Sequence, residues 1–380
     1  MPPARSLLWC IVPISLALHG AHARPEAFEV GPKQTDQLPG GKEADGIIGD
    51  FVLRNDRIEA VISGNLPLRR ANMSTFYGAN GITPGCLYDL TLRGANNDQL
   101  TIYTPAMQQG AISWVRVVKD GSDGEAVIET VVSSASNGGL MKRHEYRLRD
   151  GWQGVLITTT FRNESDSLVK TATGDRWTNF KRTGTALGFD WADAIDPADK
   201  AGYAVADVEG QEITKVVSAS LKPGEEARFS RFIAVGTSSL EALGIAAAQR
   251  GEVGRVTGSM RQADGKPILT GEITARADGG AGRVIGVGYP GQDGTFSFAL
   301  PPGDYELTFE DQGRGPITRQ IKVAANAQAT ADVQMELASA IEFNIRDEAG
   351  VSIPCKVQFH ATGNTPWPYL GPENRAHGCV

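Results

Sequence analysis

Turn-forming residues recur roughly every ten positions along most of this chain, and that spacing constrains the fold more than any other feature. The clusters Gly94–Asp98 (GANND), Asp120–Gly124 (DGSDG), Ser136–Gly139 (SNGG), Asp150-Gly151, Asp293-Gly294 and Pro301-Pro302-Gly303 each break the chain. Between them lie short runs rich in β-branched and aromatic residues, such as Val155–Arg162 (VLITTTFR). Segments of that length and alternation form strands, and short connections make the strands antiparallel. The 45 glycines and 20 prolines are therefore read as turn punctuation in an all-β, antiparallel sandwich rather than as disorder.

The order of the runs divides the chain. Residues 24–45 are Pro-, Gly- and charge-rich and are expected to be an extended lead-in. Strands are expected at Ile47–Arg54 and Arg57–Ser63 around the Asn55-Asp56 turn. Further strands follow at Leu90–Leu92, Leu100–Tyr103, Ala111–Lys119, Ala126–Ser133, His144–Leu148, Val155–Arg162, Ala204–Val208, Ile213–Ser218 and Ala227–Val235. One helix is expected at Ser239–Gln249, with Ser238 or Ser239 as N-cap, Glu241 in the first turn and Gly251 past its end. These signals divide the chain into a large sandwich at 24–250, ending in the helix, a small sandwich at 251–338 and an incomplete β unit at 339–380. In the last of these, Ile341–Arg346 and Ile353–Phe359 read as two strands whose apolar faces have nothing after them for cover, as expected for a truncated domain. The missing C-terminal domains of the same protein are then the expected partners.

The small sandwich carries recognisable phrases: Gly254/Val256/Gly258, Asp264/Gly265/Pro267, Asp293/Gly294/Phe296, Leu300–Gly303 and Tyr305. Together these resemble the carboxypeptidase regulatory-like domain, an Ig-like or transthyretin-like sandwich. The resemblance implies a fold and says almost nothing about activity. The overall order, with phrases such as IIGDFVLRNDRIEAVI at Ile47–Ile62, is similar to the N-terminal region of secreted metallohydrolases of the polymerase-and-histidinol-phosphatase class. That likeness implies a catalytic metal domain beyond residue 380.

Arg5, the apolar run Ser6–Leu18 and the Ala21-His22-Ala23 cleavage site make residues 1–23 an export signal, so a periplasmic or extracellular protein is expected. No run is long enough for a transmembrane segment. A net charge of −7 without a basic block argues against nucleic acid as a partner. Three cysteines remain after the signal, Cys86, Cys355 and Cys379, and their pairing stays open. No catalytic or metal-binding motif occurs, and no cofactor is implied. His144 is expected on the solvated side of its strand, and His360 and His377 on the surface.

The segment Thr173–Asp199 is the best candidate for binding. It reads as a long loop holding Trp177, Phe180, Phe189 and Trp191 beside Asp175, Asp190, Asp193, Asp196 and Asp199. Aromatic faces suit sugar rings and carboxylates accept sugar hydroxyls, so Asp175, Trp177, Asp190, Trp191 and Asp193 are the candidate ligand-binding residues. The alternative is that the aromatics pin the loop to the sheet. The expected function is a non-catalytic scaffold with a possible carbohydrate or cell-surface polymer as partner. The alternative is the leading region of a secreted metal-dependent hydrolase.

Overall fold

A computed structural model of the chain describes residues 24–70, 83–108, 112–177, 182–193, 200–208, 218–339, 342–357, 360 and 362–363. The expected signal at 1–23, most of the strand expected at Ile213–Ser218, and Phe180, Asp196, Asp199, His377 and Cys379 lie outside the described residues.

The described strands run in chain order Glu26–Glu29 (β1), Phe51–Arg54 (β2), Ile58–Ile62 (β3), Leu87–Leu92 (β4), Tyr103–Thr104 (β5), Trp114–Asp120 (β6), Glu125–Val132 (β7) and Leu140–Arg149 (β8). Gly154–Asn163 (β9), Val169–Ala172 (β10), Arg176–Trp177 (β11), Thr183–Ala186 (β12), Phe189–Asp193 (β13), Gly202–Asp207 (β14), Ser218–Leu221 (β15) and Glu226–Gly236 (β16) follow. Helix α1 is Ser239–Ala248. After it come Gly254–Gln262 (β17), Glu272–Ala277 (β18), Val284–Gly288 (β19), Thr295–Leu300 (β20), Gly303–Glu310 (β21), Ile317–Val323 (β22), Gln328–Thr330 (β23) and Val333–Met335 (β24). The described residues are all-β apart from α1 and short 3₁₀ turns.

A six-stranded sheet, β1-β2-β3-β4-β5-β11, faces an eight-stranded sheet, β12-β13-β14-β16-β9-β8-β7-β6. Leu53, Ile58, Ala60 and Ile62 of the first pack with Ile128, Tyr146, Ile157 and Ile233 of the second in one buried cluster. The lead-in expected at 24–45 is in part a strand: β1 pairs antiparallel with β2, Glu26 opposite Arg54. Its four residues are too few to show a period in the sequence. The loop expected at 173–199 is also structured. β11 joins the six-stranded sheet, and β12 and β13 form a hairpin, Ala186 opposite Phe189, at the edge of the eight-stranded one.

The remaining strands make two four-stranded arrays, β20-β17-β23 with β24 also on β17, and β19-β18-β21-β22. Pairing of β23 and β24 with β17 is parallel, unlike the other pairings. Val256, Phe296, Phe298, Tyr305, Leu307 and Phe309 fill the space between these sheets.

Helix α1 joins the two sandwiches. β14 and β16 are apolar on both faces: Tyr203, Val205, Ile233 and Val235 look into the large sandwich. Ala204, Ala206, Phe232 and Ala234 look outward, onto Leu240, Leu243 and Ala247 of α1. The opposite side of the helix meets β19 and β20, so one buried cluster runs from the eight-stranded sheet through α1 into the small sandwich. Gly244 allows the approach, because a Cβ there would stand 2.5 Å from the carbonyl oxygen of Ala299. The helix starts where expected: Ser238 Oγ accepts the Glu241 N–H, and the Glu241 carboxylate accepts the Thr237 N–H at 2.7 Å. Ser239 Oγ accepts the Val287 N–H at 2.9 Å and donates to the Val287 carbonyl at 3.2 Å.

Past β24 the described residues form no sheet. Arg346 and Ser352 make one isolated bridge, and Phe343, Val351 and Ile353 are exposed.

Candidate functional site

The five residues expected at a binding site fall in two places. Asp175 and Trp177 flank a polar band inside the large sandwich. Strand alternation builds it. Along β8, Leu148, Tyr146, His144, Lys142 and Leu140 share one face; Leu148 and Tyr146 join the main core and Leu140 a separate cluster with Phe161 and Leu221. His144 and Lys142 lie between these apolar blocks. Register sets Thr130 of β7 and Thr159 of β9 on either side of His144.

His144 is 1% exposed, not solvated as its sequence neighbours suggested. The signal was present: His144 shares the alternation of Tyr146 and Leu148, while Arg143, Glu145 and Arg147 take the other face. Its Nδ1 lies 2.8 Å from Thr159 Oγ1, and its Nε2 has no partner. Arg231 Nη1 donates to the same Thr159 oxygen at 2.6 Å. Burial, together with the nearby charges of Lys142 and Arg231, pushes the His144 pKa well below its usual value.

Asp175 is committed to structure. Its two oxygens accept from Arg231 Nε at 2.7 Å and Nη2 at 2.6 Å. Oδ1 also accepts the Ala106 N–H at 2.7 Å, and Oδ2 accepts the Tyr103 hydroxyl. Burial alone would lower the Arg231 pKa, but Asp175 outweighs it and the net direction is upward. Trp177 is half-buried and sits edge-on to Tyr103, with ring centroids 6.1 Å apart. Lys142 Nζ donates to the Ala106 carbonyl at 3.2 Å and lies 5.7 Å from the centre of the Phe161 ring. Ala106 and Met107 both take left-handed backbone angles, φ 49° and 50°.

Asp190, Trp191 and Asp193 lie on β13, where the large sandwich meets the small one. Trp191 is 4% exposed and its Nε1 donates to the Val284 carbonyl at 3.2 Å. Asp193 Oδ2 accepts from Arg182 Nη2 and from the Tyr289 hydroxyl, each at 2.6 Å. Arg182 Nη1 reaches Glu272 of β18 at 2.6 Å. Burial pushes the Asp193 pKa up, and Arg182 offsets part of the rise. Asp190 is half-buried and accepts from Thr185 Oγ1 at 2.5 Å. The Trp191–Val284, Asp193–Tyr289 and Arg182–Glu272 bonds join this edge to the small sandwich.

Beside the hairpin tip a cleft of about 440 Å³ separates Leu187 and Phe189 from the Pro301–Tyr305 turn. Exposed Arg250, Asp278 and Asp304 line it. Arg250 lies over the Phe189 ring at 4.8 Å and donates to the Gly188 carbonyl at 2.8 Å. Cys86 is buried and Cys355 exposed, and both are free thiols. Among the described residues no three His, Cys, Asp or Glu side chains stand together as a metal site.

No curated protein matches the chain. Among solved structures, a polysaccharide lyase is similar at 14% identity over 70% of this chain and 47% of its own, with a TM-score of 0.29. A protein from Synechocystis is similar at 10% identity over 50% of this chain and 96% of its own, TM-score 0.33. The 3-chlorocatechol 1,2-dioxygenase of Rhodococcus opacus is similar at 7% identity over 23% of this chain, TM-score 0.19; the chain spans 60% of that enzyme's length. Residues 255–336 match the carboxypeptidase regulatory-like domain family, so the small sandwich is a domain of that kind.

Proposed function

We propose that this chain is a non-catalytic scaffold of an exported protein, which holds a large β-sandwich and a carboxypeptidase regulatory-like domain in one fixed relation. The observation that carries the reading is the continuous buried cluster through α1, tied at its edge by Arg182 between Asp193 and Glu272. Modules that share a core move as one body, whereas modules on a linker do not. The test is calorimetry with tryptophan fluorescence on residues 24–337. Phe296→Ala, a truncation costing roughly 3–5 kcal/mol, is expected to lower a single melting transition, and the fluorescence of Trp152 and Trp191 should report the same shift. Two transitions, of which the substitution moves one, overturn the proposal. Export has its own check: N-terminal sequencing of secreted material is expected to begin at Arg24.

A second reading, sugar binding, is supported by the cleft beside the hairpin tip. There Asp278, Asp304 and Arg250 offer acceptors and donors to hydroxyl groups. Stacking contributes little to this reading, because Phe189 and Tyr305 are buried. Retention on a polysaccharide panel that Asp304→Ala abolishes supports it, and no retention on any polymer removes it.

A further inference from the structure

Two hairpins of this chain, 85 positions apart, are built with the same bonds. The first follows β17. There the Gly265 N–H donates to the Gln262 carbonyl at 2.9 Å, the Gln262 N–H to the Lys266 carbonyl at 2.8 Å and the Ile268 N–H to the Met260 carbonyl at 2.9 Å. The second lies past β24. There the Gly350 N–H donates to the Asp347 carbonyl at 2.9 Å, the Asp347 N–H to the Val351 carbonyl at 2.9 Å and the Ile353 N–H to the Ile345 carbonyl at 3.4 Å. Each has one antiparallel bridge across its turn, Arg261 to Pro267 and Arg346 to Ser352. In each, Nη1 of that arginine donates to the carbonyl of the turn glycine, at 3.2 Å in the first and 2.8 Å in the second. Both glycines are left-handed, φ 86° at Gly265 and 80° at Gly350. The sequences MRQADGKPI and IRDEAGVSI share only the arginine, the glycine and the last isoleucine. Even the carboxylate over the turn recurs from a new position: Asp264 accepts the Lys266 N–H at 3.1 Å, and Asp347 accepts the Val351 N–H at 2.8 Å.

The two differ in what covers them. Met260 and Ile268 are 0% and 2% exposed, in one cluster with Ile273 of β18 and Val333 of β24. β24 runs parallel to the end of β17 with Val333 opposite Met260. Gly271 comes so close that a Cβ there would stand 2.4 Å from Met260 Cε. The counterparts Ile345 and Ile353 are 36% and 43% exposed, and Phe343, two residues before Ile345 on the same face, is exposed too. We infer that Ile345–Ile353 is the opening hairpin of a second regulatory-like sandwich. Its apolar face is a docking surface for strands of the same polypeptide of the kind of β18 and β24. A hairpin of this size is marginal in water by itself, whereas the same backbone under such strands is core.

The test is an exchange of hairpins in the full chain. Met260→Ile, Gln262→Asp, Ala263→Glu, Asp264→Ala, Lys266→Val and Pro267→Ser together write the second hairpin into the first sandwich. Apolar swaps of similar volume cost little, so the melting temperature is expected to fall by about 5 °C or less. The control carries the same nine residues in reverse order. It keeps isoleucine at both ends but places glutamate at the left-handed position, where a side chain is strained, and is expected to lose at least twice as much. An exchange that melts no higher than this control overturns the inference. Sedimentation of the unaltered chain separates the sources of the cover. A monomer at every concentration is expected. A dimer that Ile353→Asp dissolves assigns the face to a second copy of the chain and overturns the assignment to the same polypeptide.

Discussion

Buried carboxylates set the pH response of this protein. Asp89 accepts the Asp45 N–H at 2.8 Å and the Gly46 N–H at 3.0 Å, and Asp98 Oδ1 accepts the Leu90 N–H at 2.8 Å. Both residues are fully buried, and Asp98 Oδ2 has no partner. Burial, with further repulsion from Asp45 and Asp50, raises the Asp89 pKa to about 8; burial and the charge of Asp89 raise that of Asp98. A carboxyl whose pKa is higher folded than unfolded holds more protons in the native state. Its stabilising effect is complete below pH ~4 and is lost as pH rises toward 8. Urea midpoints are therefore expected to fall between pH 5 and pH 8.5, and Asp98→Asn, which removes the neighbouring charge, should flatten that slope. A flat profile in the unaltered protein refutes the assignment. Single residues were also the hardest scale to read from sequence. The aspartates at 175 and 193 stood out, but their guanidinium partners, Arg231 and Arg182, lie 56 and 11 positions away. Whether a carboxylate is free or spent is decided by that tertiary pairing, which no local pattern records.

Elements were more legible. Strands β7, β9 and β16 and helix α1 lie where turn residues, β-branched runs and caps place them, because each is long enough to be told from its flanks. β1, β11 and the β12–β13 hairpin were hidden for a physical reason. Each has five residues or fewer, and the hairpin sequence TGTALGFDWAD is covered on its outer side by the small sandwich, so its polarity does not alternate. Helix α1 offers the sharpest test at this scale. Gly→Ala inside a helix normally stabilises by about 0.5–1 kcal/mol. At Gly244 the added Cβ would lie 2.5 Å from the Ala299 carbonyl oxygen, and backbone cannot rotate away. Gly244→Ala is expected to destabilise by about 1–3 kcal/mol, the range for overpacking, measured by urea unfolding. A gain in stability would mean that helix and strand stand further apart.

Across the whole molecule, sequence conveyed the number and kind of sandwiches but not their union. Residues such as Ala204 and Ala234 look like ordinary strand alanines. Only the folded sheet shows that they floor a contact with α1. The same helix has a consequence for solubility. In the sheet β19-β18-β21-β22, β19 is a terminal strand, and the hydroxyl of Ser239 engages both backbone groups of Val287. At Val287 a second chain finds both backbone groups already taken. The opposite border, β22, presents Thr318, Arg319, Gln320 and Lys322 to solvent, and charges on an exposed strand disfavour recruitment of another. Arg319→Val with Lys322→Val should leave the melting temperature nearly unchanged yet produce concentration-dependent light scattering, whereas a clear solution would show that β22 needs no such protection. One border of this sheet is thus closed by a serine and the other guarded by charge, so neither offers a neighbouring chain a bare strand on which to grow.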